Sequence, residues 1–283
     1  MPEMKYNGWR PVRGHKPPHH MVKDMRNFRS EDALPIPATR FLDQVSFIGN
    51  EFVGCFVVET GDGLLLIDCM EPSDTYVGFL DDGLKELGLD PKDIKNVLIT
   101  HGHHDHYGFS DQLREKYGCK LYMSKRDEEF AQDPNTPRAP GQQPLAYSMD
   151  GYLDEGDVFR QGNVEVKVYA TPGHTPGGLS YIFNVSDEGR PHKAALWGGT
   201  GIPRTKPEQE TYLASAKRFV EICRKEKVDV EISTHPFVDQ SGQRLAICRD
   251  IVDGVPNPFV IGEEAVIRYH EMFVQMCLNR MQG

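Results

Sequence analysis

The sequence predicts an α+β protein in which two β-sheets pack face to face and helices cover their outer sides. Three observations point there. Strand-like segments fall into two groups, at 44–123 and 164–197. Each group leads into helical segments, and no evident linker divides them, which is the pattern of one layered sandwich rather than two domains. Three of the strand ends also carry histidine. The densest of these, Thr100-His101-Gly102-His103-His104-Asp105-His106-Tyr107-Gly108, holds four histidines and a carboxylate within six residues.

Residues 1–40 read as an extended arm, because they carry several prolines and no clear period; Trp9 and Phe28 are its candidate anchors. The single domain then runs over 41–283. Gln44–Ile48 and Phe52–Glu59 are rich in β-branched and aromatic residues and predict strands. Gly61-Asp62-Gly63 predicts a hairpin turn into the strand Leu64–Asp68. Ser73 or Asp74 can cap a helix reaching Leu87, with Gly88 as its stop. The apolar run Val97-Leu98-Ile99 predicts a buried strand that delivers the histidine cluster. A helix is expected from Gly108 to Tyr117, stopped by Gly118, and then a strand at Lys120–Met123. Asp133 to Ala146 is a Pro-, Gly- and Gln-containing loop, long enough to serve as a cover for a site. Strands resume at Val164–Tyr169, Leu179–Val185, Lys193–Trp197 and Val230–Ser233, and helices are expected at Glu208–Lys225, Gly242–Ile251 and Glu263–Met281.

The net charge of −10 argues against a nucleic acid or an anionic membrane as partner, since either favours a basic face. No apolar run approaches the roughly 20 residues that span a bilayer. The partner expected is a small-molecule substrate; nothing in the sequence sets the oligomeric state. Met1 to His20 is polar and lacks the apolar core of a secretory leader. A native start at Met1 implies the cytoplasm, whereas a leader already removed implies the periplasm or secretion. The six cysteines form no C-x-x-C pair, so a thiolate zinc site is not expected. Cys55 and Cys119 read as buried thiols. Cys69, next to Asp68 at a strand end, reads as core filling that can also approach the site.

Imidazole and carboxylate are usual ligands of zinc, and a strand ending in several of them presents them from a rigid base. Two further strand ends add histidine: Thr171-Pro172-Gly173-His174-Thr175-Pro176-Gly177-Gly178 and Ser233-Thr234-His235-Pro236. The succession H-x-H-x-D-H, then T-P-G-H-T-P-G-G, then a lone strand-end histidine resembles the metallo-β-lactamase superfamily, from about Phe41 to the C-terminus. That resemblance implies a four-layer αββα sandwich with the metal site at one edge of the two sheets. It implies two zinc ions, one held by His101, His103 and His174, the other by Asp105, His106 and His235. His104 would be a variable position, and Asp68 would orient ligands by hydrogen bonding.

Many members of the superfamily place a bridging aspartate between the second and third histidine segments. Here the matching stretch reads Leu196-Trp197-Gly198-Gly199-Thr200-Gly201, with no carboxylate and no cysteine. The remaining Asp-His-His set is most similar to the third subclass of the class-B β-lactamases. The resemblance therefore implies a dinuclear zinc hydrolase that opens an amide bond in a lactam-type substrate through a metal-bound hydroxide, with Asp105 as the catalytic carboxylate. A lactonase or thioesterase of the same superfamily and a non-catalytic metal-binding module are the alternatives. Tyr107, Tyr147 and Thr200 are candidate substrate contacts.

Overall fold

The computed structural model describes residues 33–71, 74–139, 142–250 and 254–282. The expectations for Trp9, Phe28 and the capping role of Ser73 lie outside them. Seven strands form the first sheet in the order β1 (Pro35–Leu42), β2 (Val45–Asn50), β3 (Gly54–Glu59), β4 (Leu64–Ile67), β5 (Ile94–Leu98), β6 (Lys120–Met123) and β7 (Gly151–Tyr152). Pairing is antiparallel from β1 to β4 and parallel from β4 to β7. The second sheet has the order β12 (Val230–Ile232), β11 (Arg190–Leu196), β10 (Leu179–Asp187), β9 (Val164–Ala170) and β8 (Val158–Gln161).

Side chains alternate across each strand, so each sheet has two apolar faces to bury. Phe56 and Val58 of β3, with Leu65 and Ile67 of β4, meet Val166, Tyr181, Phe183 and Leu196 of the second sheet in a core between the sheets. Cys55, Val57 and Leu66 point the other way. They pack with Leu80 and Leu84 of α1 (Asp74–Glu86) and Leu113 of α3 (Ser110–Tyr117). On the far side, Ile182, Ala195 and Trp197 pack under Phe219 of α5 (Lys206–Glu226) and Phe273 of α8 (Glu263–Met281). The four layers are therefore helix, sheet, sheet, helix, as expected. Phe183 sits nearly fully buried in the middle of this stack, where truncation of such a ring to alanine costs about 3–5 kcal/mol.

Several boundaries differ from the sequence reading. The first sheet begins at Pro35, inside the stretch read as arm, because β1 pairs with β2 despite its two prolines. Prolines are tolerated there because β1 is an edge strand. The helix expected from Gly108 is α3, which starts at Ser110 and is stopped by Gly118; a short helix not anticipated, α2 (His104–Tyr107), precedes it inside the histidine cluster. Helix α4 (Lys125–Gln132) was not anticipated. Its buried face consists of Asp127, Glu128 and Ala131, so no apolar period announces it. Two short helices, α6 (Pro236–Asp239) and α7 (Ser241–Arg249), complete the order before α8. Among the described residues no helix is long and apolar enough to cross a membrane.

Candidate metal centre

The ends of β4, β5, β9 and β12 bring Asp68, the histidine cluster, the His174 loop and His235 to one edge of the sandwich. Hydrogen bonds between the sheets fix this convergence: Leu179 N–H donates to Thr100 O at 2.8 Å, the Tyr181 hydroxyl to Ile99 O at 3.0 Å, and Gly54 N–H to Thr234 O at 2.9 Å. The backbone is extended through His103 (φ −89°, ψ 147°) and turns helical at His104. This change of path sends His101 and His103 one way and Asp105 and His106 another. Two groups result: His101, His103 and His174, and Asp105, His106 and His235. They adjoin, with the rings of His101 and His106 only 3.9 Å apart between centroids.

Four of the five imidazoles are anchored through Nδ1. His101 Nδ1 lies 3.0 Å from Thr100 Oγ1, whose proton goes to Asp68 Oδ2 at 2.8 Å, so the ring nitrogen is the donor. His106 Nδ1 meets Asp68 Oδ2 at 2.6 Å, His174 Nδ1 meets Gly201 O at 2.6 Å, and His235 Nδ1 meets Phe52 O at 2.8 Å. Such contacts fix the tautomer and leave Nε2 as the free lone pair. The Nε2 of His101 is buried and has no partner among the described residues. Those of His106 and His235 face each other at 3.1 Å, and Asp105 Oδ2 lies 3.6 and 3.7 Å from them. Two ring nitrogens that close share a cation between them, a proton or a metal ion. Zinc bonds of about 2.0–2.2 Å at tetrahedral angles put ligand atoms about 3.3–3.6 Å apart, so the triangle suits such an ion.

Protonation states agree with this. Burial, then the neighbouring imidazoles, hold His101 and His174 well below the usual histidine range. Burial also brings His103 down to about 4. Burial alone would raise Asp105, but His106, His235 and His103 outweigh it and bring the carboxyl down to about 2. Burial likewise opposes a charge on His106, yet Asp105 and Asp68 raise it overall. At neutral pH the first group offers three neutral imidazoles and the second an ionised carboxylate, the forms that bind metal.

Asp68 is fully buried and holds a left-handed backbone (φ 59°), a conformation that costs a non-glycine residue about 1 kcal/mol or more. Its Oδ1 accepts the Thr100 N–H at 2.7 Å. The orienting role expected for it thus extends to His106 directly and to His101 through Thr100. The stretch without a bridging carboxylate has a steric reason. A Cβ at Gly199 would lie 2.6 Å from His174 Cβ, and one at Gly201 would lie 2.7 Å from its Cε1. The glycines are the surface on which the His174 ring rests.

A cleft of about 1000 Å³ opens over the two groups. Tyr107 lines it, as do His104 and the loop residues Thr136 to Ala139. The Tyr147 hydroxyl is instead turned to Ser110 Oγ at 2.6 Å, and Thr200 is engaged through its carbonyl by the Tyr212 hydroxyl; neither residue is among the cleft's walls. Leu145 packs into the core beneath. Cys69 is buried with Sγ 3.3 Å from His106 O, so it fills the core behind the site, and burial raises its pKa. The sequence reading missed Asp127. The run Ser124-Lys125-Arg126-Asp127 has the form of a helix capping box, and Ser124 does cap α4, but the Asp127 carboxylate is used elsewhere.

The family model described as "Metallo-beta-lactamase superfamily" matches residues 48–187, which include five of the six grouped residues; His235 lies beyond it. BJP-1, a subclass B3 metallo-beta-lactamase of Bradyrhizobium japonicum, is 26% identical with a TM-score of 0.73, covering 88% of this chain and 96% of that one. FEZ-1 from Legionella gormanii has the same fold at 20% identity (TM-score 0.78, covering 88% of this chain and 97% of that one). A hydroxyacylglutathione hydrolase from a Bradyrhizobium species is 34% identical over 91 residues, 32% of this chain and 30% of its own length. The chain spans about a third of the length of the curated relatives it matches first. With this fold, and with the histidine segments in this order, the chain belongs to the metallo-beta-lactamase superfamily.

Proposed function

We propose that this protein is a dinuclear zinc hydrolase that opens an amide bond in a lactam-type substrate. The observation that carries the proposal is the pair of three-ligand groups lying side by side at the floor of the cleft. His101, His103 and His174 would hold one zinc, and Asp105, His106 and His235 the other. Zinc bound there supplies Lewis acidity and lowers the pKa of water toward about 7, which removes the need for a protein nucleophile. Asp105 is ionised and nearly buried; its carboxylate accepts a hydrogen bond from the attacking water and so sets its line of approach. Asp68 holds the His106 proton at Nδ1, which keeps Nε2 available.

The cleft walls bear on the substrate. Arg126 and Arg204 line the cleft, and their guanidinium groups have no ion pair or hydrogen bond with the described residues. The third arginine at the cleft, Arg138, donates to Ala131 O, Asp133 O and Thr136 O, and so shapes its own loop. Either guanidinium would pair with an acidic group on the substrate. A thioester substrate is the second reading, favoured by the local likeness to hydroxyacylglutathione hydrolase. Zinc-loaded protein should be assayed in parallel on a β-lactam, a larger lactam, a lactone and a glutathione thioester. The proposal expects the highest kcat/KM on a lactam. Preference for the thioester moves the reading to the second one, and no turnover at full metal occupancy overturns both.

A further inference from the structure

The geometry points to Asp127 as the positioning residue of the first metal group, one carboxylate that fastens the His101–His103 segment to the His174 loop. Its Oδ2 accepts the N–H of Gly102, the residue between His101 and His103, at 2.8 Å, and the hydroxyl of Thr175, next to His174, at 2.6 Å. Its Oδ1 accepts the N–H of Gly177 at 2.6 Å. The side chain is fully buried and forms no ion pair among the described residues, so these three donors are what stabilises its charge there. The two segments come from different sheets, one from the end of β5 and the other from the end of β9. No ladder joins those strands. The packing is tight on both sides: a Cβ at Gly102 would meet Asp127 O at 2.7 Å, and one at Gly177 would meet Asp127 N at 2.7 Å. Among the described residues Asp127 makes no hydrogen bond to a ligand side chain. It acts through the backbone that carries them: its bonds flank His101, His103 and His174, and none reaches Asp105, His106 or His235.

This inference rests on the ligand assignment above. The test therefore isolates each group in the full-length chain. His235→Ala leaves the first group intact, and His174→Ala leaves the second. Each is combined with Asp127→Asn, which sets an amide N–H against backbone N–H donors, and with Thr175→Val, which removes one donor at similar size. Metal-free protein is titrated with zinc against a chromophoric chelator, and thermal unfolding of the metal-free form is followed alongside. In the His235→Ala background, Asp127→Asn should raise the zinc Kd about 10–100-fold and Thr175→Val about fivefold. In the His174→Ala background, neither should change it by more than about twofold. Equal losses in both backgrounds would make Asp127 a general fold element, and no loss in either would remove it from the site. Each outcome overturns the inference. If Asp127→Asn does not fold, Thr175→Val decides by the same criteria. Zinc binding that survives in the unsubstituted chain but is absent in both single-group parents would overturn the ligand assignment, and with it this inference.

Discussion

The two ligand groups lie against each other and are built in opposite ways. The first is all imidazole, and its rings lean on neutral acceptors, Thr100 Oγ1 and Gly201 O. The second contains a carboxylate and rests a ring directly on another, Asp68. Burial keeps the histidines of the first group neutral and lowers His235 in the second as well, but at Asp105 and His106 the neighbouring charges together outweigh burial, lowering the carboxyl and raising the imidazole. The first is thus a neutral socket that needs its two segments held together. The second is a charged one whose ligands already attract one another. The contrast explains why one fold edge carries two buried carboxylates, Asp127 tying backbones and Asp68 orienting rings.

The largest effect expected tests the charged group. Asp105→Asn removes the carboxylate that faces both His106 and His235, and hydrolysis should fall about 10²–10⁴-fold with circular dichroism unchanged. Near-normal kcat in a metal-loaded variant would mean that the neutral group alone carries turnover.

Next comes a pH effect on the neutral group's strap. Burial outweighs its three donors and raises the Asp127 carboxyl from 3.8 to about 6. The folded state therefore holds this proton more tightly than the unfolded state does. The stability it contributes is fully present below about pH 4 and lost as pH rises through about 6, roughly 3 kcal/mol at most. Asp127→Asn has no proton to lose. Urea unfolding of metal-free protein should find the variant gaining on wild type between pH 4 and pH 7, and a parallel pair of curves would contradict the assignment.

Asp68 sharpens the comparison from the other side. In Asp68→Asn the His106 ring loses its anionic acceptor, and zinc affinity of the Asp105–His106–His235 group should drop about 10–100-fold. Competition titration should find the first group less affected, because His101 is reached only through Thr100.

The smallest effect concerns the rim. Arg126→Gln and Arg204→Gln should each raise KM about five- to tenfold for a carboxylate-bearing substrate. The ratio of KM values between that substrate and its neutral ester should shrink. An unchanged ratio would mean that neither guanidinium reads the acidic group.

Much of this was legible in the chain because it is local. The apolar, β-branched and aromatic runs at Phe52–Glu59 and Leu64–Asp68 predict strands, which the structure buries on both faces, and α8 has the expected bounds. The six residues of the two groups were named through the resemblance of their motifs to the superfamily, and the structure brings them together as those two groups. Helix α4 was not legible, because its inward face is charged, and Asp127 was hidden by its resemblance to a capping residue. Tyr147, at the end of the 133–146 loop, and Thr200 were candidate substrate contacts; packing turned the first toward Ser110 and tied the backbone of the second to Tyr212.

By itself, then, the sequence determined the layered fold class and the ligand types, because strand period, turn chemistry and donor identity are properties of short segments. Tertiary structure alone decided that His101 and His106 face different partners, through an extended-to-helical change at His103. It alone brought His235 within 3.1 Å of a residue 129 positions earlier and put one aspartate between two loops from different sheets. Those arrangements depend on how two sheets close on a shared core, and no short segment carries the information for that closure.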